Sequence, residues 1–354
     1  MQNILKLFLL STIFCLLLNS VFGQDSLRNK KVKTLPVPAF GYSPETKTYV
    51  GIVNLFTLDL YHDSITRTSN AKIECNYSWN KQVILEASWN YFFRQEKWFT
   101  KGLIRYAQYP DFYFGIGINS PDSNKLVFNS NRFVSDIFLM KKIRTKLFTG
   151  INLKYISYTK IKTALPDLRY PELKPNKTFG IGYTIIKDAR NNILSPTKGH
   201  YFFANTVYNF ADKNYFECIL DGRFYKSWNA KLVSATRLIN DVNIGTTPFY
   251  DLAFLGGDQY VRGYYFGRFR DQNLSSIQQE FRMPLLWRFG LATFGGLSSI
   301  YSAKQPFSIN NIKYNYGLGL RFLVDKKDKT SLRLDYAIGN NNNSGFYVSF
   351  GESF

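Results

Sequence analysis

The chain is short of the residues from which most catalytic and metal sites are made. Three cysteines, three methionines and two histidines are all that 354 residues contain. So few cysteines exclude a disulfide scaffold. His62 and His200, with no cysteine or carboxylate at ligand spacing, exclude a metal site of ordinary donors, and no metal or other cofactor is expected. A Ser/His/Asp-type set is equally hard to assemble. His62 falls in an expected outer loop and His200 beside a turn on the other side of a membrane, so no enzymatic activity is expected. Long apolar runs are missing too: beyond the first two dozen residues nothing approaches the ~18 consecutive apolar residues of a spanning helix.

The first segment, MQNILKLFLLSTIFCLLLNSVFGQDS, does carry an apolar core, from Leu7 to Leu18, after the basic Lys6. Val21-Phe22-Gly23 gives a small-residue exit, so residues 1–23 read as a secretory signal peptide. Cys15 lies inside the apolar core without a lipidation box around it. Acidic residues are scarce, 25 against 45 lysines and arginines, for a formal net charge of +20. Such a balance usually points to nucleic acid. Export excludes that partner, and the cations read as scattered over inward strand positions. Acidic lipid headgroups or an anionic partner in a lumen fit better.

What the chain has in excess is aromatic: 32 Phe, 25 Tyr and 5 Trp, at a mean hydropathy of only −0.22. Aromatics favour strands, and this mixture suits a sheet with one apolar and one wet face. Period-two alternation bears this out locally. In AKIECNYSW, Ile73, Cys75, Tyr77 and Trp79 share one face and Lys72, Glu74, Asn76 and Ser78 the other. SIQQEFRM and TSLRLDYAIG alternate likewise, with Gln278, Glu280 and Arg282 on one polar face and Arg333 and Asp335 on another. Cys75 and Cys218 sit on apolar faces and read as small apolar residues that do not pair.

Repeated segments of about ten residues, broken by turn residues, are what a membrane barrel requires. Strands are expected near 47–61, 69–79, 82–94, 97–107, 112–119, 129–140, 144–158, 177–188, 199–210, 213–227, 229–241, 274–286, 287–300, 313–323, 329–340 and 344–354. That is an all-β fold, a 16-stranded antiparallel transmembrane β-barrel, rather than an array of β-sandwiches. The expected division is 1–23 signal peptide, 24–45 periplasmic linker and 46–354 barrel. GFYVSFGESF closes the chain with Phe346, Val348, Phe350 and Phe354 on one face, and Glu352 at the membrane interface. A terminal aromatic of this kind resembles the signal read by outer-membrane insertion machinery. The inward carboxylates Glu74, Glu217, Asp221 and Glu280 read as partners for lumen lysines and arginines.

Between the eleventh and twelfth strands, residues 242–273 form a loop of a length that is usually functional. It contains FLGGDQYVRGYYFGRF, aromatic and cationic, without strand or helix period. Folded inward, Arg262 can find carboxylates on the barrel wall as a charge-assisted pair. Within this stretch GGDQYVRGY resembles the VRGY/F loop motif of the BamA/TamA superfamily of outer-membrane barrels. The residues concerned are Gly256, Gly257, Val261, Arg262, Gly263 and Tyr264. DARNNILSPTKGHYF resembles the turn between strands eight and nine of that family, through Asp188, Arg190, Pro196 and Gly199. QEFRMP, with Glu280 and Pro284, resembles its strand twelve. YGLGLRF and LRLDYAIG, with Gly317, Gly319, Arg321 and Asp335, resemble its last strands. The four motifs span about 178–354, and YSPETKTYVG from Tyr42 resembles the family's first strand.

The resemblance implies that Arg262 is the lumen-docking arginine, with Glu280 and Asp335 as its partners. Two departures stand out. Where the family carries an aspartate on strand thirteen, ATFGGLSS places Gly296. No receiving POTRA module fits between Gly23 and the first expected strand, only a linker with Lys30, Lys31 and Lys33. The implied function is assembly or transport of proteins at the bacterial outer membrane, through a seam between the first and last strands; the alternative is a passive or structural pore. Outer-membrane lipid and lipopolysaccharide are the expected surroundings, with a separate periplasmic or lipoprotein subunit as a further partner and no nucleic acid.

Overall fold

The computed structural model describes residues 32–43, 47–61, 63, 65–79, 81–163, 170–229, 231–325 and 330–354. The expected signal peptide, Lys30, Lys31 and His62 lie outside these residues. Alternating sequence becomes strand almost throughout. In chain order the strands are β1 (Val32–Ser43), β2 (Lys47–Leu58), β3 (Ser69–Ser78), β4 (Val83–Phe92), β5 (Trp98–Tyr113) and β6 (Leu126–Arg144). They continue as β7 (Leu147–Thr163), β8 (Asn176–Asp188), β9 (Gly199–Phe210), β10 (Tyr215–Asn229) and β11 (Leu232–Gly245). Two three-residue strands, β12 (Ala253–Leu255) and β13 (Phe269–Asp271), pair only with each other inside the long loop. The wall resumes with β14 (Asn273–Pro284), β15 (Phe289–Tyr301), β16 (Lys313–Asp325), β17 (Thr330–Gly339) and β18 (Ser344–Phe350). No α-helix occurs among the described residues.

The wall is one sixteen-stranded antiparallel sheet in sequence order, β1–β11 followed by β14–β18. β1 and β18, its two end strands, come together in space. The count of sixteen matches the sequence reading through two errors that cancel. Residues 32–43, expected as linker, form the first strand, because Val32, Leu35 and Val37 extend a ladder that pairs along all of β2. Two prolines, Pro36 and Pro38, hid it, yet an end strand tolerates missing donors. Conversely, 97–107 and 112–119 are not two strands. β5 runs straight through Pro110 to Tyr113, and 114–119 is loop.

The shift by one strand reverses the sense of every expected strand up to residue 107. The described residues of YSPETKTYVG divide between the end of β1 and the start of β2, so the stretch is not the first strand. Leu58 and Ser69, which bracket a connection expected as an outer loop, lie at the end of the barrel where β1 begins. There Arg67 meets Glu96 at 2.6 Å and Asp188 at 3.4 Å. His200 adjoins that same end, so the opposition between the two histidine segments falls away. This is the terminal end of the barrel, and the opposite one is the far end.

Burial is inverted relative to a soluble sheet. Ile73 and Tyr77 on β3 are 53% and 45% exposed, while Asn76 and Ser78 on either side of Tyr77 are buried. Outward columns such as Phe179, Ile181, Tyr183 and Ile185 on β8 are apolar; inward positions carry the polar groups. The inward carboxylates are all engaged: Glu74 with Lys72 at 2.6 Å, Glu217 with Lys154 at 2.7 Å, and Asp221 with Arg237 at 2.8 Å. Not every cation is inward, as the sequence reading had it. Lys141, Lys187 and Lys226 stand on outward columns. Cys75 and Cys218 are on outer faces and in no disulfide. In a bilayer Cys218 is expected to react with a membrane-soluble maleimide and to resist a charged one; the reverse preference would mean that β10 shows its other face to lipid.

The chain's last residues also depart from expectation. β18 ends at Phe350, and Gly351 (φ 78°) turns the remainder into the lumen. Phe354 is buried against Tyr225 and Ala235 rather than sharing the lipid face with Phe346. Glu352 is bonded to Arg321 at 2.9 Å, not placed at the membrane interface.

Candidate functional site

Polar side chains inside a barrel lose bulk water, so each needs a partner in the wall or in whatever fills the lumen. Here the filler is the 246–272 loop. Its hairpin turns back on itself where Gly257 N–H donates to the Tyr264 carbonyl at 2.9 Å. Gly256, Gly257 and Gly263 take φ values of 120°, 86° and 101°. At Gly263 the requirement is strict. A Cβ would lie 3.0 Å from the Ile338 carbonyl carbon of β17, and its own N–H donates to the Tyr347 hydroxyl at 3.0 Å. Val261 and Tyr264 are fully buried.

This turn delivers Arg262 into the wall, where it is 2% exposed. One guanidinium nitrogen meets Glu280 of β14 at 2.6 Å, and another is bonded to Asp335 of β17. Both carboxylates are fully buried. Burial opposes the charge on Arg262, but Glu280 and Asp335 prevail and hold its pKa above the usual arginine range. The ring of Phe294 on β15 faces the guanidinium at 3.4 Å.

The pair expected from sequence is the centre of a larger network. Glu280 also accepts from Arg282 at 2.7 Å, and Asp335 from Arg321 at 2.6 Å and Arg333 at 3.0 Å. Arg333 reaches back to Asp258 at the loop tip through one nitrogen, 2.7 Å from each carboxylate oxygen. Glu352 joins from the inturned tail. Arg262, Arg282, Arg321 and Arg333 thus face Glu280, Asp335, Glu352 and Asp258, and the charges balance. That balance is what makes burial of so many ions tolerable.

The glycines quoted in YGLGLRF acquire a reason. A Cβ on Gly319 would collide with the Asp335 carboxylate and come 2.5 Å from the Arg321 guanidinium. Gly296, standing where an aspartate was expected, has no room for one: a Cβ there lies 2.8 Å from the Ile277 carbonyl and 2.9 Å from Asn315. β15 contributes a ring to the site instead of a charge.

The turn motif belongs to the same network. Asp188 and Arg190 pair at 2.9 Å, and Gly199 (φ 104°) reverses the chain into β9. The Pro196 carbonyl accepts from Arg282 at 3.1 Å, and Arg282 donates again to the Phe354 carbonyl at 2.8 Å. Glu352 N–H donates to the Leu194 carbonyl at 3.1 Å. Turn, tail and loop therefore converge on β14.

The base of the loop is tied separately: Asp251 pairs with Lys154 at 2.7 Å and accepts from the Tyr215 hydroxyl. At the far end, other loops knit over it. Gly117 N–H donates to the Arg270 carbonyl at 2.8 Å, and Arg268 donates to the Ser120 carbonyl at 2.9 Å. Between the loop tip and the terminal end lies a lumen cavity of about 660 Å³, with Tyr260, Arg105, Asp221 and Tyr201 on its wall. Among the described residues no cluster that could hold a metal occurs.

Sequence reasoning did not assign Arg282, Arg333, Asp258 or Phe294 to the site. The signal for Arg282 and Arg333 was present, since each lies two residues from a named carboxylate on the same inward face.

The architecture has solved counterparts. BamA from Haemophilus ducreyi, in a form lacking POTRA domains 1–3, superposes with a TM-score of 0.59 at 12% identity, covering 91% of this chain and 70% of that one. CdiB from Acinetobacter baumannii gives 0.56 at 13%, covering 90% of this chain, which spans 60% of CdiB. At such identities the likeness is one of fold. No curated protein matches the sequence. The Omp85 superfamily domain matches residues 64–354, which takes in the loop, the turn and every strand of the ion network, and the chain is a member of that superfamily of outer-membrane barrels.

Proposed function

We propose that this barrel assists the insertion or transport of polypeptides at the outer membrane by opening sideways between β1 and β18. The carrying observation is the unequal seam. β18 has seven residues and β1 twelve. The sheet order runs from β1 round to β18, and these two end strands lie against one another over only part of the length of β1. Tyr49 of β2 donates across the seam to the Val348 carbonyl at 3.4 Å, a long side-chain bond. On this reading the Arg262 network braces β14–β18 so that parting occurs at the seam and not elsewhere.

A passive pore is the competing reading, and the cap counts against it. A solute entering from the terminal end meets the inward loop and the loops knitted over it. The two readings separate in one experiment. Cysteines are placed along β1 and β18 in a chain whose Cys75 and Cys218 are replaced by alanine, and then oxidised. Crosslinked barrels are expected to keep their heat-dependent mobility on gels but to lose support of outer-membrane protein assembly. Full activity in the locked form, with an unchanged outer-membrane protein profile, sinks the lateral-opening reading.

A further inference from the structure

Not all of the excess positive charge is spent inside the barrel. Lys97, Lys141, Arg144, Lys146 and Lys187 are exposed and adjoin one another across β5–β8 at the terminal end. Register makes them neighbours: Lys141 lies opposite Trp98, Arg144 opposite Leu147, and Leu147 opposite Lys187. The Lys97 carbonyl accepts from Lys142 N–H at 3.0 Å, and that of Lys146 from Asp188 N–H at 2.9 Å. The nearby carboxylates are buried and occupied. Glu96 holds Arg67 at 2.6 Å, and Asp188 holds Arg190 at 2.9 Å. The patch is therefore uncompensated.

Its position says what it meets. Lys141 lies between Leu139 and Ile143 on an outward column, 43% and 55% exposed, and Lys187 follows Ile185 on another. Trp98 sits beside Lys141, and on β10 the Lys226 ammonium stands 3.8 Å from the ring of the outward Trp228. Tryptophan beside lysine at the edge of an apolar band is the arrangement of a membrane interface. A soluble acidic protein would have to reach these side chains flush with the bilayer, whereas lipid phosphates are already there.

We infer that the outward cations of β5–β8 form a binding surface for anionic phospholipid headgroups in the leaflet at the terminal end. The surface orients the barrel and fixes its depth by charge as well as by apolar height. The inference does not depend on whether the seam opens.

The test uses the whole chain in nanodiscs of equimolar phosphatidylglycerol and phosphatidylcholine, with lipids retained after mild detergent release quantified by mass spectrometry. The wild type is expected to retain phosphatidylglycerol in excess. With Lys141→Gln, Arg144→Gln, Lys146→Gln and Lys187→Gln combined, that excess is expected to fall at least about fivefold, since the attraction for anionic headgroups is carried by these cations. Heat-dependent mobility checks that the variant is folded. If it does not fold, the wild type in high salt decides, because screening must remove the excess. Equal retention of both lipids by the wild type, an excess untouched by the substitutions, or an excess that survives high salt overturns the proposal.

Discussion

Glu280→Ala is expected to lower the stability of the folded barrel by about 3–5 kcal/mol, the range for removing one partner of a buried ion pair. The top of the range applies because Glu280 is fully buried and touches three arginines, Arg262 at 2.6 Å, Arg282 at 2.7 Å and Arg321 at 3.5 Å. Its loss leaves that side of the network with more positive charge than the remaining carboxylates can offset. The 246–272 loop should then become a protease substrate, and the temperature at which gel mobility shifts should drop. Glu280→Gln separates charge from volume: it keeps the packing and is expected to fall between wild type and Glu280→Ala. A loop as protected in Glu280→Ala as in the wild type would show that the loop is held by its base and cap alone.

The second large effect is expected at Tyr264. Its ring packs among Val261, Phe269 and Leu274 and lies over Gly339, while its hydroxyl donates to the Tyr314 carbonyl at 2.6 Å and accepts from Asn340 N–H at 2.7 Å. Tyr264→Ala opens a cavity at a site that cannot collapse, because β16 and β17 are fixed by their ladders, and should cost about 3–5 kcal/mol. Tyr264→Phe keeps the ring and leaves two backbone groups unpaired, for about 1–3 kcal/mol. Equal melting of the two variants would mean that the ring contributes nothing beyond its hydroxyl. Neither substitution touches the seam, so both test the brace independently of the proposed function.

Much of this was legible in the sequence, for a physical reason. A barrel wall has one apolar and one polar face at every strand, so period two is written along most of the chain and the faces of Glu280, Arg282, Arg333 and Asp335 could be read directly. What period two does not record is direction or end. Pro36 and Pro38 masked a real strand, and Pro110 split another in two. Because the errors cancelled, the total gave no warning while the first strands pointed the wrong way. Contacts made by chain reversal were also invisible. Phe354 reads as one more alternating aromatic, and only Gly351, a residue with no face of its own, carries the instruction to turn inward. Arg262 was readable because a buried arginine demands carboxylates. Which of several inward acids it finds, and that Asp258 of its own loop closes the circuit through Arg333, depends on how far the loop descends.

The loop's bonds run to β5, β7, β8, β10, β11, β14, β16, β17 and β18, through Asp111, Lys154, Thr178, Tyr215, Arg237, Glu280, Tyr314, Asp335 and Tyr347. Mechanically it is a spoke set fastened to one long arc of the rim. β1–β4 keep their curvature through their own ladders and the Glu74–Lys72–Glu86 chain of charges. Under lateral pressure from a bilayer, a ring built this way does not deform evenly. Its braced arc resists, and the ovality concentrates in β1–β4, to which none of these bonds runs, on one side of the meeting of β1 and β18.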